Sequence, residues 1–190
     1  METQPTQSTP ARRYPVLRRL LTLIGICLLA HYAFAAGRAI TDPAGPMSFD
    51  AVKPFKLDFG RGSGMDGLET IAIAENGKVT ICRRTRDATW ESASLRLSAQ
   101  QLKQIAQATT RHRLPQLAKK YLGTLHDGTQ WVLWIRQGTR GKATYFDNNF
   151  PSSIRDFANE LDAILEEAGI DKLRWEPSSK QDRELWSAMK

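Results

Sequence analysis

The chain has 190 residues, a formal net charge of +7, 2 cysteines and 3 histidines. Arg12, Arg13, Arg18 and Arg19 all precede residue 20, so without them and Glu2 the remainder is only mildly cationic at +4, which is no argument for nucleic acid as a partner. Cys82 is the sole cysteine after residue 36, which excludes an intrachain disulfide in that part.

Leu20 to Ala36 is an apolar run of 17 residues behind those four arginines, with no acid between them. A positive flank stays on the cytoplasmic side while the apolar stretch inserts, so the chain after Ala36 is expected to be translocated. Ala33-Phe34-Ala35 offers the small-x-small pattern that a signal peptidase accepts, whereas the run is longer than a usual signal core and just long enough to span a bilayer. Both outcomes stay open: a cleaved signal peptide, or an uncleaved transmembrane anchor over residues 20–36 in the cytoplasmic membrane. In either case the product is expected to be exported, periplasmic or extracellular. Ile26 before Cys27 is too large for a lipoprotein site, and Tyr14-Pro15-Val16 after Arg12-Arg13 is a poor twin-arginine signal. Cutting after Ala35 leaves about 155 residues, the size of one domain with an ordinary core. The organisation read from this is 1–36 targeting, 37–54 tether or strap, 55–175 an α+β domain, and 176–190 a polar C-terminal tail.

Pro43, Gly45, Pro46... Pro54 break any period in the tether.

 Phe55 to Phe59 reads as a short strand, Gly60 to Gly67 as a flexible inter-strand loop, and Leu68 to Ala74 as the next strand. Glu75-Asn76-Gly77 is a hairpin signal whose register the apolar residues decide. A two-residue loop would mix the faces, whereas a three-residue loop with a left-handed Gly77 pairs Ile73 with Val79 and Ile71 with Ile81, giving one apolar face. Ala72, Ala74, Thr80 and Cys82 then fall on the other face. Ala93, Leu95 and Leu97 alternate as a further strand.

Ser98-Ala99-Gln100-Gln101 is a capping box that starts a helix at Ala99, with Leu102, Ile105 and Ala106 on its buried stripe. Leu114-Pro115 ends it, because the residue before a proline resists the helical region. Leu117 to Gly128 shows no clear period and reads as a connector with Leu117, Tyr121 and Leu122 dipping into the core. A second hairpin runs from Trp131 to Ile135, turns near Gly138 to Gly141, and returns through Ala143 to Phe146. Pro151 opens a second helix, in which Ile154, Phe157, Ala158, Leu161, Ile164, Leu165 and Ala168 share one face and Gly169 caps the end. Strand pairs joined by short turns predict an antiparallel sheet of β-hairpins with both helices packed on one face, preceded by the N-terminal hydrophobic helix.

The layout resembles a family of exported bacterial domains of unknown function. The matching residues are Asn76-Gly77, Leu97-Ser98 with Leu102, Asp127-Gly128, Pro151 with Ile154, and Trp175, which together span about Phe55 to Trp175. The resemblance implies the fold and export, and it brings no activity. Members of that family often carry paired cysteines before the first hairpin, where this chain has Gly60 to Gly67, so no redox or metal role carries over.

No catalytic, cofactor-binding or metal-ligating set is expected. Gly60, Gly62 and Gly64 precede a strand and not the helix a phosphate cradle needs. His112 and His126 lack ligand spacing with a cysteine or carboxylate, and no Gly-x-Ser-x-Gly elbow occurs. Arg83, Arg84, Arg86, Arg111, Arg113, Lys119 and Lys120 read as a solvated rim at one end of the sheet.

The second hairpin carries the main functional expectation. A four-residue turn sets Trp134 opposite Tyr145 and Leu133 opposite Phe146, leaving Val132, Trp134, Arg136 and Tyr145 on the face the helices do not cover. An exposed Trp/Tyr/Arg cluster has the composition of a binding hot spot, unless the tail folds over it through Trp175, Leu185 or Trp186. The expected function is therefore a non-enzymatic exported binding module for a protein or other envelope component. The rival is an exported enzyme or enzyme inhibitor with a cleft between the Gly60 to Gly67 loop and the first helix.

Overall fold

The computed structural model describes residues 46–63, 66–124, 128–178 and Leu185. The chain divides into 1–37 and 38–190, and every described residue belongs to the second unit. The apolar run 20–36, His126-Asp127 and Trp186 lie outside the described residues. No helix among the described residues is long and apolar enough to cross a membrane.

In chain order the elements are β1 (Lys56–Ser63), β2 (Gly67–Ile73), β3 (Lys78–Arg84), β4 (Trp90–Arg96), α1 (Ala99–Arg111), β5 (Lys120–Leu122), β6 (Thr129–Gln137), β7 (Arg140–Asp147), α2 (Ser152–Glu167) and β8 (Glu176–Pro177). The strands form one 8-stranded sheet in the order β5-β7-β6-β1-β2-β3-β4-β8. The architecture is α+β, but the sheet is mixed and not wholly antiparallel, because β5 pairs with β7 in parallel. β5 occupies part of the stretch read as a connector. Its three residues are too few to show a period, and Tyr121 secures it by stacking on Phe146 with ring centroids 5.3 Å apart.

The first hairpin has the expected register, with Ile73 opposite Val79 and Ile71 opposite Ile81 around a Gly77 at φ 77°. The second hairpin differs. Gln137 pairs with Arg140, so its loop is the two residues Gly138-Thr139, and Gly138 at φ 58° takes the first central position where a two-residue turn favours glycine. Trp134 therefore lies opposite Ala143, Val132 opposite Tyr145 and Leu133 opposite Thr144. The slip from the expected pairing is two residues, an even number, so every side chain keeps its face.

The stretch read as a flexible loop is also corrected. Gly60, Arg61, Gly62 and Ser63 are inside β1, paired with β2 on one side and β6 on the other. Two complete ladders outweigh the entropic weakness of glycine within a strand. Arg61 further ties this end of β1 to α2 through a two-pronged ion pair with Asp162, both contacts 2.7 Å.

Leu57, Phe59, Ile71, Ile73, Val79, Ile81, Leu133, Ile135 and Phe146 share one buried cluster with Ile105 of α1 and Ile154, Phe157 and Leu161 of α2. Both helices thus pack on the same sheet face. The capping box at Ser98 and Gln101 closes both of its bonds, which sets where α1 begins. Met47 and Phe49 pack against the same core, and Gln137 Nε2 donates to the carbonyls of Asp50 and Lys53, fastening residues 47–53 to the end of β6. Phe59 is fully buried against Trp131 and Phe157, whereas Val52 is 87% exposed. Urea unfolding of Phe59→Ala should show a loss of about 3–5 kcal/mol. Val52→Ala should stay within about 0.5 kcal/mol of the parent.

Candidate interaction surface

Strand alternation sends Asp58, Gly60 and Gly62 of β1, Leu68 of β2, Val132, Trp134 and Arg136 of β6, and Tyr145 of β7 to the face opposite the helices. A second, smaller cluster sits there: Leu68, Val132 and Leu185 are buried, and Trp134 and Tyr145 are half-buried against them. The chain therefore covers part of this face itself. Of the four residues expected to form an open surface, Val132 is 0% exposed and offers a partner nothing. The remaining three, Trp134, Arg136 and Tyr145, stand at the edge of the cluster. Leu185 alone supplies the described part of the cover. Trp175 instead packs against the main core on the helix side, under the Arg83 guanidinium at 3.7 Å.

Arg136 links the polar and aromatic parts of the surface. Its guanidinium lies 4.0 Å above the Trp134 ring and forms an ion pair with Asp58, whose side chain is 15% exposed. Gly141 makes room for this stack, since a Cβ there would come within 3.3 Å of the Trp134 Nε1. Burial, aided by the negative charge of Asp147, pushes the Tyr145 phenol above its ordinary range, so its hydroxyl is neutral at physiological pH. Two buried atoms of β6, Gln130 Oε1 and Arg136 Nε, have no hydrogen-bond partner among the described residues. Both belong to side chains on this same face.

The basic residues read as one rim do not gather. β3 and β5 are separated by β7, β6, β1 and β2. Arg83 pairs with Glu91 at 2.5 Å and Arg84 with Asp66 at 2.7 Å. Arg111 and His112, at the end of α1, both meet Glu160 of α2, with His112 Nε2 3.0 Å from Glu160 Oε2. Beside them a cleft of about 380 Å³ is lined by Arg113, Tyr121, Ser152, Ser153 and Asp156. The rival reading's cleft bordered residues 60–67, but residues 60–63 are strand bonded on both edges. Among the described residues no three or more His, Cys, Asp or Glu side chains group as a metal ion would need. Cys82 is a buried free thiol.

Glu160 was invisible to periodicity because it needs two helices brought side by side. In the sequence Leu185 stands only among the residues able to cover this face, and Gly60 belongs to a glycine run that resembles a loop and lacks the helix of a phosphate cradle. No protein-family model matches the chain, and no curated protein matches it either.

Burial disfavours the charge on Glu160, but hydrogen bonds from His112 and Arg111, with the Coulomb pull of both, outweigh it and hold the carboxyl below its usual range. A carboxyl depressed by folding adds stability above its unfolded-state value, and this is lost as pH falls through the folded-state value. Glu160→Gln should therefore cost about 0.5–1 kcal/mol at pH 7, a figure limited by solvent screening of a partly exposed pair. Chemical denaturation repeated at lower pH should show the two proteins converging once the pH drops below about 4.3, the ordinary glutamate value.

Proposed function

We propose that this chain is an exported, non-enzymatic interaction module, released from the cytoplasmic membrane or held at its outer side by residues 20–36, that binds a protein or another envelope component. The leader supports export, through its arginine flank and apolar run. The resemblance to exported bacterial domains points the same way. The reading of the surface rests on the Trp134–Arg136–Asp58 stack with Tyr145 beside it. These residues lie half-buried on the sheet face that both helices leave open. Tryptophan, tyrosine and arginine are the side chains that most often carry binding energy, because each combines a broad rigid surface with a polar tip. Val132 contributes from below, as the support on which the rim rests.

A photo-crosslinking residue placed at position 134 in intact cells should yield a discrete adduct, and one at the exposed helix position Gln107 should not. The captured partner, once purified, should bind Trp134→Ala about 30-fold or more weaker than the parent chain, the loss typical of a hot-spot truncation. Equal adducts from both positions, or none from 134 in a protein that melts normally, would refute the reading. N-terminal sequencing of the same material distinguishes release after Ala35 from an uncleaved anchor.

A further inference from the structure

The outer face contains a socket one side chain wide. Gly60 forms its floor in mid-strand, with ladders on both sides and no turn to make. A Cβ on Gly60 would stand 3.0 Å from Leu185 Cδ1 and 3.0 Å from Leu68 Cδ1, so the missing side chain leaves the space that the leucine fills. Leu68 and Val132 are its walls, both 0% exposed, and Trp134 and Tyr145 pack at its rim. Leu185, in helical conformation and 5% exposed, occupies it.

We propose that Leu185 is an internal plug. It fills the socket that an external partner would enter with a leucine-sized side chain carried on a helix, so the face binds such a segment only when Leu185 withdraws. This rests on the reading of the outer face as an interaction surface. The plug comes from the same molecule. The Ser178 amide donates to the Trp90 carbonyl from the β8 side of β4, so Ser178 stands four strand spacings, about 19 Å, from β1. The seven residues from Ser178 to Leu185 span at most about 23 Å, which covers that distance within one molecule. Gln130 Oε1 and Arg136 Nε, without a hydrogen-bond partner among the described residues, occur on β6 at either side of Val132 and Trp134, one able to accept and the other to donate a hydrogen bond to an incoming backbone.

The test uses the full chain and a synthetic peptide of residues 179–190. The peptide should bind Leu185→Asp, whose socket is open, at least 10-fold tighter than the parent chain, and a peptide carrying the same Leu185→Asp change should not bind. Gly60→Val in the Leu185→Asp chain should abolish binding by filling the floor. Leu185→Ala repeats the experiment should the aspartate variant melt abnormally. Equal binding to plugged and open chains overturns the plug, as does a parent chain that sediments as a dimer with Leu185 exchanged between copies. Crosslinking from position 134 separates the two proposals. Adducts present but unchanged by Leu185→Asp, with no peptide binding, reject the plug and leave the interaction surface standing. Peptide binding without any adduct shows that Leu185 fits the socket but overturns its role as a plug against an external partner.

Discussion

A strand must send consecutive side chains to opposite faces, and β1 does so in the interior of an eight-stranded sheet with a neighbour on each edge. Leu57 and Phe59 go to the helix side, while Asp58 and Gly60 go to the other. Both helices pack on the first side. The main core is therefore built where α1 and α2 meet the sheet, and the second side has only what other parts of the chain bring to it.

That constraint explains why so much of the fold was legible. The first hairpin's register follows from keeping Ile71, Ile73, Val79 and Ile81 on one face, and the start of α1 follows from the Ser98 and Gln101 pair. The stripe of α2 repeats at helical spacing and is buried from Ile154 to Leu165, whereas its last expected member, Ala168, is the half-buried C-cap. β5 was not legible, because three residues carry no period and its parallel pairing depends on where the chain re-enters beside β7. Nor was the second half of β1, where glycines that signal a break locally are retained by ladders from β2 and β6, strands distant in sequence. The register of the second hairpin differs from the sequence expectation by two residues because Gly138 and Gly141 both invite a turn. Only Gly138 makes it, and Gly141 serves Trp134 as open space within β7.

The candidate surface divides along the same line. Alternation alone placed Trp134, Arg136, Val132 and Tyr145 on one face, and the even slip in register left that placement intact. What alternation does not contain is burial by a residue far along the chain. Leu185 converts Val132 from surface to support, and nothing around Leu185 marks its destination. Glu160 is a parallel case: it looks like an ordinary polar position on α2 until α1 sets Arg111 and His112 against it.

The two faces also differ in what it costs to open them. The helix side holds Phe59, Phe157, Ile105 and Leu161, all fully buried and mutually packed, so exposing any part of it means separating a helix from the sheet. The outer side is held among its described residues by four buried side chains, Leu68, Cys82, Val132 and Leu185, of which only Leu185 comes from outside the sheet. Withdrawing a buried leucine forgoes about 1.5–3 kcal/mol, a small part of a domain's usual stability. Neither the strand ladders nor the helix-side core includes this leucine, which belongs to the separate outer cluster. The weakly held layer and the aromatic rim lie on the same surface, because the half-buried Trp134 and Tyr145 pack against the cluster that contains Leu185.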